Sequence, residues 1–151
     1  MDKRISTCIC QQCDFRDVVF STLDDISIQE LCNHKQERAY NKGEITNHEG
    51  EKIIEFKYLK SGLVKLYRRT ANGDEQVITI TRPFEFVSNM SIFSDEKYKY
   101  SVSALEDSIV CSVELDFIKR LFLINGGFAS NLLTKISTIN DKIIGQTLDI
   151  R

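Results

Sequence analysis

Apolar positions change their period along the chain, and each change marks a different element. Ahead of Lys35, Leu23, Ile26, Ile28, Leu31 and Cys32 offer a helical stripe, with Ser21 or Thr22 as the expected cap. From about Glu37 to Glu114 the period falls to two. One face of 53–60 carries Ile54, Phe56 and Tyr58, and one face of 63–69 carries Leu63 and Tyr67. In 76–82 either Val77 with the threonines or Ile78 with Ile80 faces inward. Lys42-Gly43, Glu49-Gly50 and Ser61-Gly62 punctuate these runs, and Asn72-Gly73 suits a tight hairpin because both residues tolerate positive φ. Pro83 ends a strand, and two more strands are expected over 99–105 and 108–114. The pattern predicts a mainly β fold with flanking α-helices, an antiparallel β-roll or jelly roll.

Helical spacing returns at the end. Residues 115–122 suit a short helix, Gly126-Gly127 breaks the chain, and a last helix runs from about Phe128 to Arg151. Within it Leu132, Ile136, Ile139, Ile143, Gln146 and Ile150 form a heptad seam with one polar member, while Leu133, Ile144 and Leu148 form a second stripe. One stripe can pack on the roll and the other on a partner, so a parallel homodimer through the seam is expected; the rival is that one core absorbs both. Three parts result: an N-terminal segment 1–36 containing cysteines and a helix, a roll over 37–114, and a helical part over 115–151. With no cap or glycine stop after Ile150, the helix reads as one that continues in a longer protein.

Composition narrows the function classes. The 151 residues carry 42% apolar and 28% charged side chains and a net charge of −2. No apolar run reaches the roughly 18 residues of a membrane span and no signal-peptide core is present, so a cytoplasmic protein without membrane contact is expected. Basic residues are scattered, whereas a domain that grips DNA by itself concentrates them. His34 and His48 form no ligand pair, and no nucleophile elbow or phosphate loop occurs. The chain is therefore read as no enzyme, with a cupin-like metal enzyme as the remote alternative. Five cysteines suggest thiols or metal ligands rather than disulfides. Cys10-Gln11-Gln12-Cys13 is also a zinc half-site. Against this, Cys111 alternates with Ile109 and Val113 as a small buried hydrophobe would, and Cys32 sits on an apolar stripe.

Several segments in order carry a resemblance. Tyr40-Asn41-Lys42-Gly43-Glu44 through Glu49-Gly50, Ser61-Gly62-Leu63-Val64-Lys65-Leu66-Tyr67, Asn72-Gly73-Asp74-Glu75-Gln76 and Ala104-Leu105-Glu106-Asp107-Ser108-Ile109-Val110-Cys111 resemble the effector domain of the Crp/Fnr superfamily of transcription regulators. The resemblance implies a cyclic-nucleotide-binding-domain-like roll and a dimerisation helix. A DNA-binding helix-turn-helix, absent here, would follow and make the contacts with DNA and RNA polymerase. Nucleotide-binding members hold phosphate with a Gly-Glu-Leu segment and an Arg before Ser or Thr. Here Ser88-Asn89-Met90 replaces the first and Lys97-Tyr98-Lys99-Tyr100-Ser101 the second, and Phe84-Glu85 stands where Gly-Asp opens the region. Without the guanidinium fork, cAMP and cGMP are not expected as ligands. Fnr-like members bind an iron–sulfur cluster, which implies Cys10, Cys13 and Cys111 as ligands; the family's further N-terminal ligand is Val19 here, leaving Cys8 as the fourth thiolate. The effector, small molecule or gas, is not named by the sequence. A module that dimerises without any ligand is the alternative function.

Overall fold

A computed structural model describes residues 5–6, 20–87 and 93–149, with 5–6 and 147–149 as backbone alone. Cys8, Cys10, Cys13, Val19, the Ser88-Asn89-Met90 segment and Ile150 lie outside the described residues. In chain order the elements are β1 (Ile5–Ser6), α1 (Asp25–Asn33), β2 (Lys35–Tyr40), β3 (Ile45–Asn47), β4 (Glu55–Ser61), β5 (Val64–Arg69), β6 (Glu75–Thr81), β7 (Ser101–Ala104), β8 (Ser108–Glu114), α2 (Leu115–Ile124) and α3 (Gly126–Asp149). The strands form two antiparallel four-stranded sheets, β1-β2-β8-β4 and β3-β7-β5-β6.

The first sheet is covered on both sides, which explains where simple alternation fails. Phe56, Tyr58, Cys111 and Val113 pack toward the helices with Ile28, Leu31, Ile118 and Leu132. Leu59 and Val110 pack toward the second sheet with Val64, Leu66 and Val102. Runs of four buried residues result on β4 and β8, as in any strand with no solvent face. Ile54 drops out of the expected face: it precedes β4 and is 66% exposed. On β5 the core face belongs to Val64 and Leu66 rather than Leu63, and a register shift at Leu66/Tyr67 buries Tyr67 as well.

Local chemistry sets the helix boundaries. Asp24, not Ser21 or Thr22, caps α1, its Oδ1 accepting from Ser27 N at 2.7 Å. The helix stops at Asn33 so that Lys35 can begin β2, and Ile26 in its first turn points to solvent while Ile28 and Leu31 are buried. Gly126 and Gly127 open α3 instead of breaking the chain before it. Asn125 Oδ1 accepts from Phe128 N at 2.9 Å, a cap that starts the helix there. A Cβ on Gly127 would lie 2.7 Å from Thr22 Cγ2, so glycine is required where the segment after Phe20 crosses the helix start. The rings of Phe20 and Phe128 stack at 5.8 Å in that crossing. In the β4–β5 turn Gly62, at φ +96°, brings its backbone against Ser108.

Candidate functional site

The second sheet ends in β6, whose outer edge has no neighbouring strand among the described residues. The last third of α3 lies along this edge, and between the two is a cleft of about 460 Å³ lined by Val77, Ile78, Thr79, Ile80, Arg82, Lys142 and Gln146. Its chemistry is mixed. Val77 and Ile80 leave aliphatic surface open, and Ile78 is half-buried against the inter-sheet core. Thr79 is 7% exposed, and its Oγ1 has no hydrogen-bond partner; Gln146 Oε1 is likewise buried without a donor. Buried polar atoms are nearly always bonded, and each orphan costs about 1–3 kcal/mol. Both residues line the cleft, Thr79 from β6 and Gln146 from α3. At the rim Lys142 Nζ stands 3.8 Å from Glu85 Oε2, while Glu85 Oε1 accepts from Arg82 N at 2.8 Å. The adjoining turn holds Phe84 at φ +67°, the left-handed conformation for which the corresponding glycine of the family pattern is suited.

A second cleft of about 350 Å³, on the second sheet at Lys42, Lys65, Tyr67, Arg69 and Glu75, is internally matched. Lys65 pairs with Glu75 and sits 5.2 Å from the Tyr67 ring centroid, and Arg69 donates to Gly73 O at 3.2 Å.

The two lysines of the segment that replaces the family's Arg-Ser pair stay on the surface. Lys99 pairs with Asp95, and Lys97 is exposed, while the tyrosines between and beside them, Tyr98 and Tyr100, are buried. Neither replaces a guanidinium aimed into the roll.

Of the four expected cysteine ligands, only Cys111 is described. It is fully buried on β8, between Glu37 of β2 and Tyr58 of β4 in the ladder. Lys35, 3% exposed, lies 5.1 Å from the Tyr58 ring centroid, so a buried cation borders the same patch. Among the described residues no three His, Cys, Asp or Glu side chains converge on a metal position. His34 instead bonds Glu114 Oε1 at 3.2 Å and stacks on Phe117.

The seam expected to meet a partner is turned inward. Leu132 is fully buried in its own core, Ile136 and Ile139 pack against that core, and Ile143 and Gln146 are half-buried. The reason is phase: Phe128 and Leu132, one turn apart and both without exposure, lock this side of α3 onto the roll. The outward side carries Leu133 and Ile144, 50% and 58% exposed. Gln146, expected in the seam, lines the β6–α3 cleft, which no pattern in the sequence singled out. The available signal was Thr79 and Thr81 facing inward on an otherwise isoleucine-rich strand.

Residues 37–125 match the cyclic nucleotide-binding domain family, and the chain belongs to it. Its relatives include regulators of the Crp/Fnr kind. Over 101 residues it is 30% identical to the transcriptional activator protein anr of Pseudomonas aeruginosa, a match covering 66% of this chain and 40% of that protein. Over 103 residues it is 24% identical to the anaerobic regulatory protein of Bacillus subtilis, covering 68% and 43%. The chain thus spans less than half the length of these regulators. The solved sensor domain of the regulator DNR from Pseudomonas aeruginosa is 28% identical, with a TM-score of 0.72 over 84% of this chain and 85% of that one. A cyclic nucleotide-binding domain from Methylobacillus flagellatus shares the fold at a TM-score of 0.79 over 99% and 90%, with 14% identity. The chain is thus a cyclic nucleotide-binding-type domain similar to the sensor domains of Crp/Fnr-type regulators. No helix among the described residues is long and apolar enough to cross a membrane.

Proposed function

We propose that this sensor domain answers a signal other than cAMP or cGMP in the β6–α3 cleft, and pairs with a second copy through the outward face of α3. In this reading DNA and RNA polymerase are engaged by a further domain of the longer regulator, in the cytoplasm, and the chain itself catalyses nothing. The observation that carries it is the cleft, whose walls belong to two bodies, the roll and the long helix. A ligand bonded to Thr79 on one and Gln146 on the other stabilises one placement of α3 relative to β6. A helix shared with a partner passes that placement on. The outward row Leu133, Ser137, Asn140, Ile144 is exposed at heptad spacing, and covering Leu133 and Ile144 contributes about 1.5–3 kcal/mol each. Titration calorimetry with cAMP is the direct test: the expected trace is flat, and a saturable one-to-one isotherm overturns the reading.

Redox sensing through the cysteines is the second reading. β1 pairs Ser6 with Glu37, and Glu37 pairs with Cys111, so Ser6 is about 10 Å from Cys111 across two ladder spacings. Cys8 follows Ser6 by two residues, and Phe20, seven residues after Cys13, joins the core cluster that contains Cys111. The chain is therefore tethered near Cys111 at both ends of its cysteine segment. Cys8, Cys10, Cys13 and Cys111 would hold an iron–sulfur cluster, which supplies oxygen- or nitric-oxide-sensitive iron. Anaerobically purified protein should contain iron and inorganic sulfide, and Cys111→Ser should lose both; colourless, metal-free protein overturns the reading.

A further inference from the structure

We propose that the β6–α3 cleft takes a medium-chain hydroxy acid: a monocarboxylate with a flexible aliphatic body and a hydroxyl group along it. The inference rests on the reading of this cleft as the effector site and names the chemistry that fits it.

Each part of the ligand answers a feature of the wall. The lining hydrocarbon is aliphatic, from Val77, Ile78 and Ile80, with no aromatic ring among the described lining residues to stack a base. A flexible alkyl chain buries that surface, at about 25 cal/mol per Å². Gln146 Oε1 is an acceptor without a donor, and Thr79 Oγ1 both gives and takes, so a ligand hydroxyl between them satisfies both. The cations of the lining are Arg82 and Lys142, and Lys142 already shares Glu85 at 3.8 Å. Arg82 is then the principal partner for a carboxylate, by the forked geometry that suits it. The Glu85 carboxylate at the same rim opposes a second negative charge, which favours a monoanion over a phosphate or a dicarboxylate. The volume of about 460 Å³ lies within the range of small-ligand sites, roughly 300–1,000 Å³.

The test uses 3-hydroxydecanoate below its aggregation threshold, with decanoate, the 3-hydroxydecanoate methyl ester and cAMP beside it, read by calorimetry and thermal shift. Saturable binding of 3-hydroxydecanoate is expected, about tenfold tighter than decanoate and than the ester. Arg82→Gln should erase the advantage of the acid over its ester. Gln146→Leu should erase the advantage of the hydroxyl over plain decanoate, and the near-isosteric Thr79→Val should do so in part, which guards against a folding defect in the first variant. No saturable binding of 3-hydroxydecanoate, or binding indifferent to Arg82→Gln and Gln146→Leu, overturns the ligand chemistry alone. Saturable cAMP binding weakened by Arg82→Gln overturns the reading of the cleft beneath it.

Discussion

Leu132 and Leu133 are adjacent in the chain, yet the first has no exposed surface and the second is 50% exposed. The same division runs down α3. Phe128, Leu132, Ile136 and Ile139 lie on or against the roll, while Leu133 and Ile144 face outward. Both faces carry branched aliphatic residues at helical spacing, so hydrophobicity alone does not distinguish them. What separates them is which side meets the cavity between α1, α2 and the first sheet. Of the two apolar sides of α3, one is covered within its own chain and the other is left exposed.

The sharpest way to test that contrast is to shorten each leucine. Leu132→Ala should lower unfolding free energy by about 2–5 kcal/mol, because the cavity it leaves is sealed on all sides. Leu133→Ala, measured in dilute protein by the same urea titration, should cost well under about 1 kcal/mol. Equal losses would break the distinction between the two faces.

The outward face should show itself in association. Leu133→Asp combined with Ile144→Asp should weaken self-association at least about 100-fold, since two buried contacts of about 1.5–3 kcal/mol are exchanged for buried charges. The variant should keep the parent melting behaviour as a monomer. Sedimentation equilibrium over a range of concentrations reads the effect, and an undisturbed dimer counts against the proposed interface.

A smaller effect is expected where the inward face begins. Gly127→Ala improves helix propensity by about 1 kcal/mol. Its new methyl nevertheless meets Thr22 at 2.7 Å, so the net result should be a loss of about 1 kcal/mol or more by overpacking. A stabilised Gly127→Ala would show that the crossing at Phe20–Thr22 is loosely held. Thr22→Gly in the same background should restore the difference.

The smallest effect concerns the two faces of β4, where Phe56 and Tyr58 face the helices and Lys57 faces the other sheet. Lys57 is 5% exposed, and its Nζ donates to Asn47 Oδ1 at 2.9 Å and Thr46 O at 3.2 Å. Burial holds its ammonium below the ordinary value of 10.5, with the Glu55 charge opposing the shift. Between that lowered value and 10.5 the unfolded chain binds the proton more firmly, so stability rises with pH across the interval. Tyr98 acts oppositely: burial raises its pKa, the unfolded chain ionises first, and stability falls above about pH 10. Lys57→Met should therefore flatten the alkaline rise and leave the fall. Urea midpoints compared across the alkaline range check this, and an unchanged slope would place the titration elsewhere.

Most of the β architecture was legible because glycine turns and alternation are local signals. Asn72-Gly73 forms its hairpin, with Gly73 at φ +84°, and β8 and the end of β7 fall where expected. The errors cluster where a second body intervenes. Ile54 alternates correctly with Phe56 and Tyr58 yet is exposed, because the ladder starts one residue later. Asp24 displaced Ser21 and Thr22 as the cap because the chain at 20–22 is held across α3. The cleft was invisible for the same reason, since Thr79 and Gln146 are 67 positions apart and meet only when α3 lies along β6.

By itself, the sequence determined which segments are strands and helices, the family they resemble, and that α3 has two apolar stripes. Spacing, turn residues and side-chain size encode these within a few positions of one another. Only the tertiary structure decided which stripe is buried, because that depends on how α3 rotates to fit Phe128 and Leu132 into a core assembled from distant segments. It also decided that Thr79 and Gln146 share a cleft, a consequence of packing a helix against a sheet edge that no local pattern records.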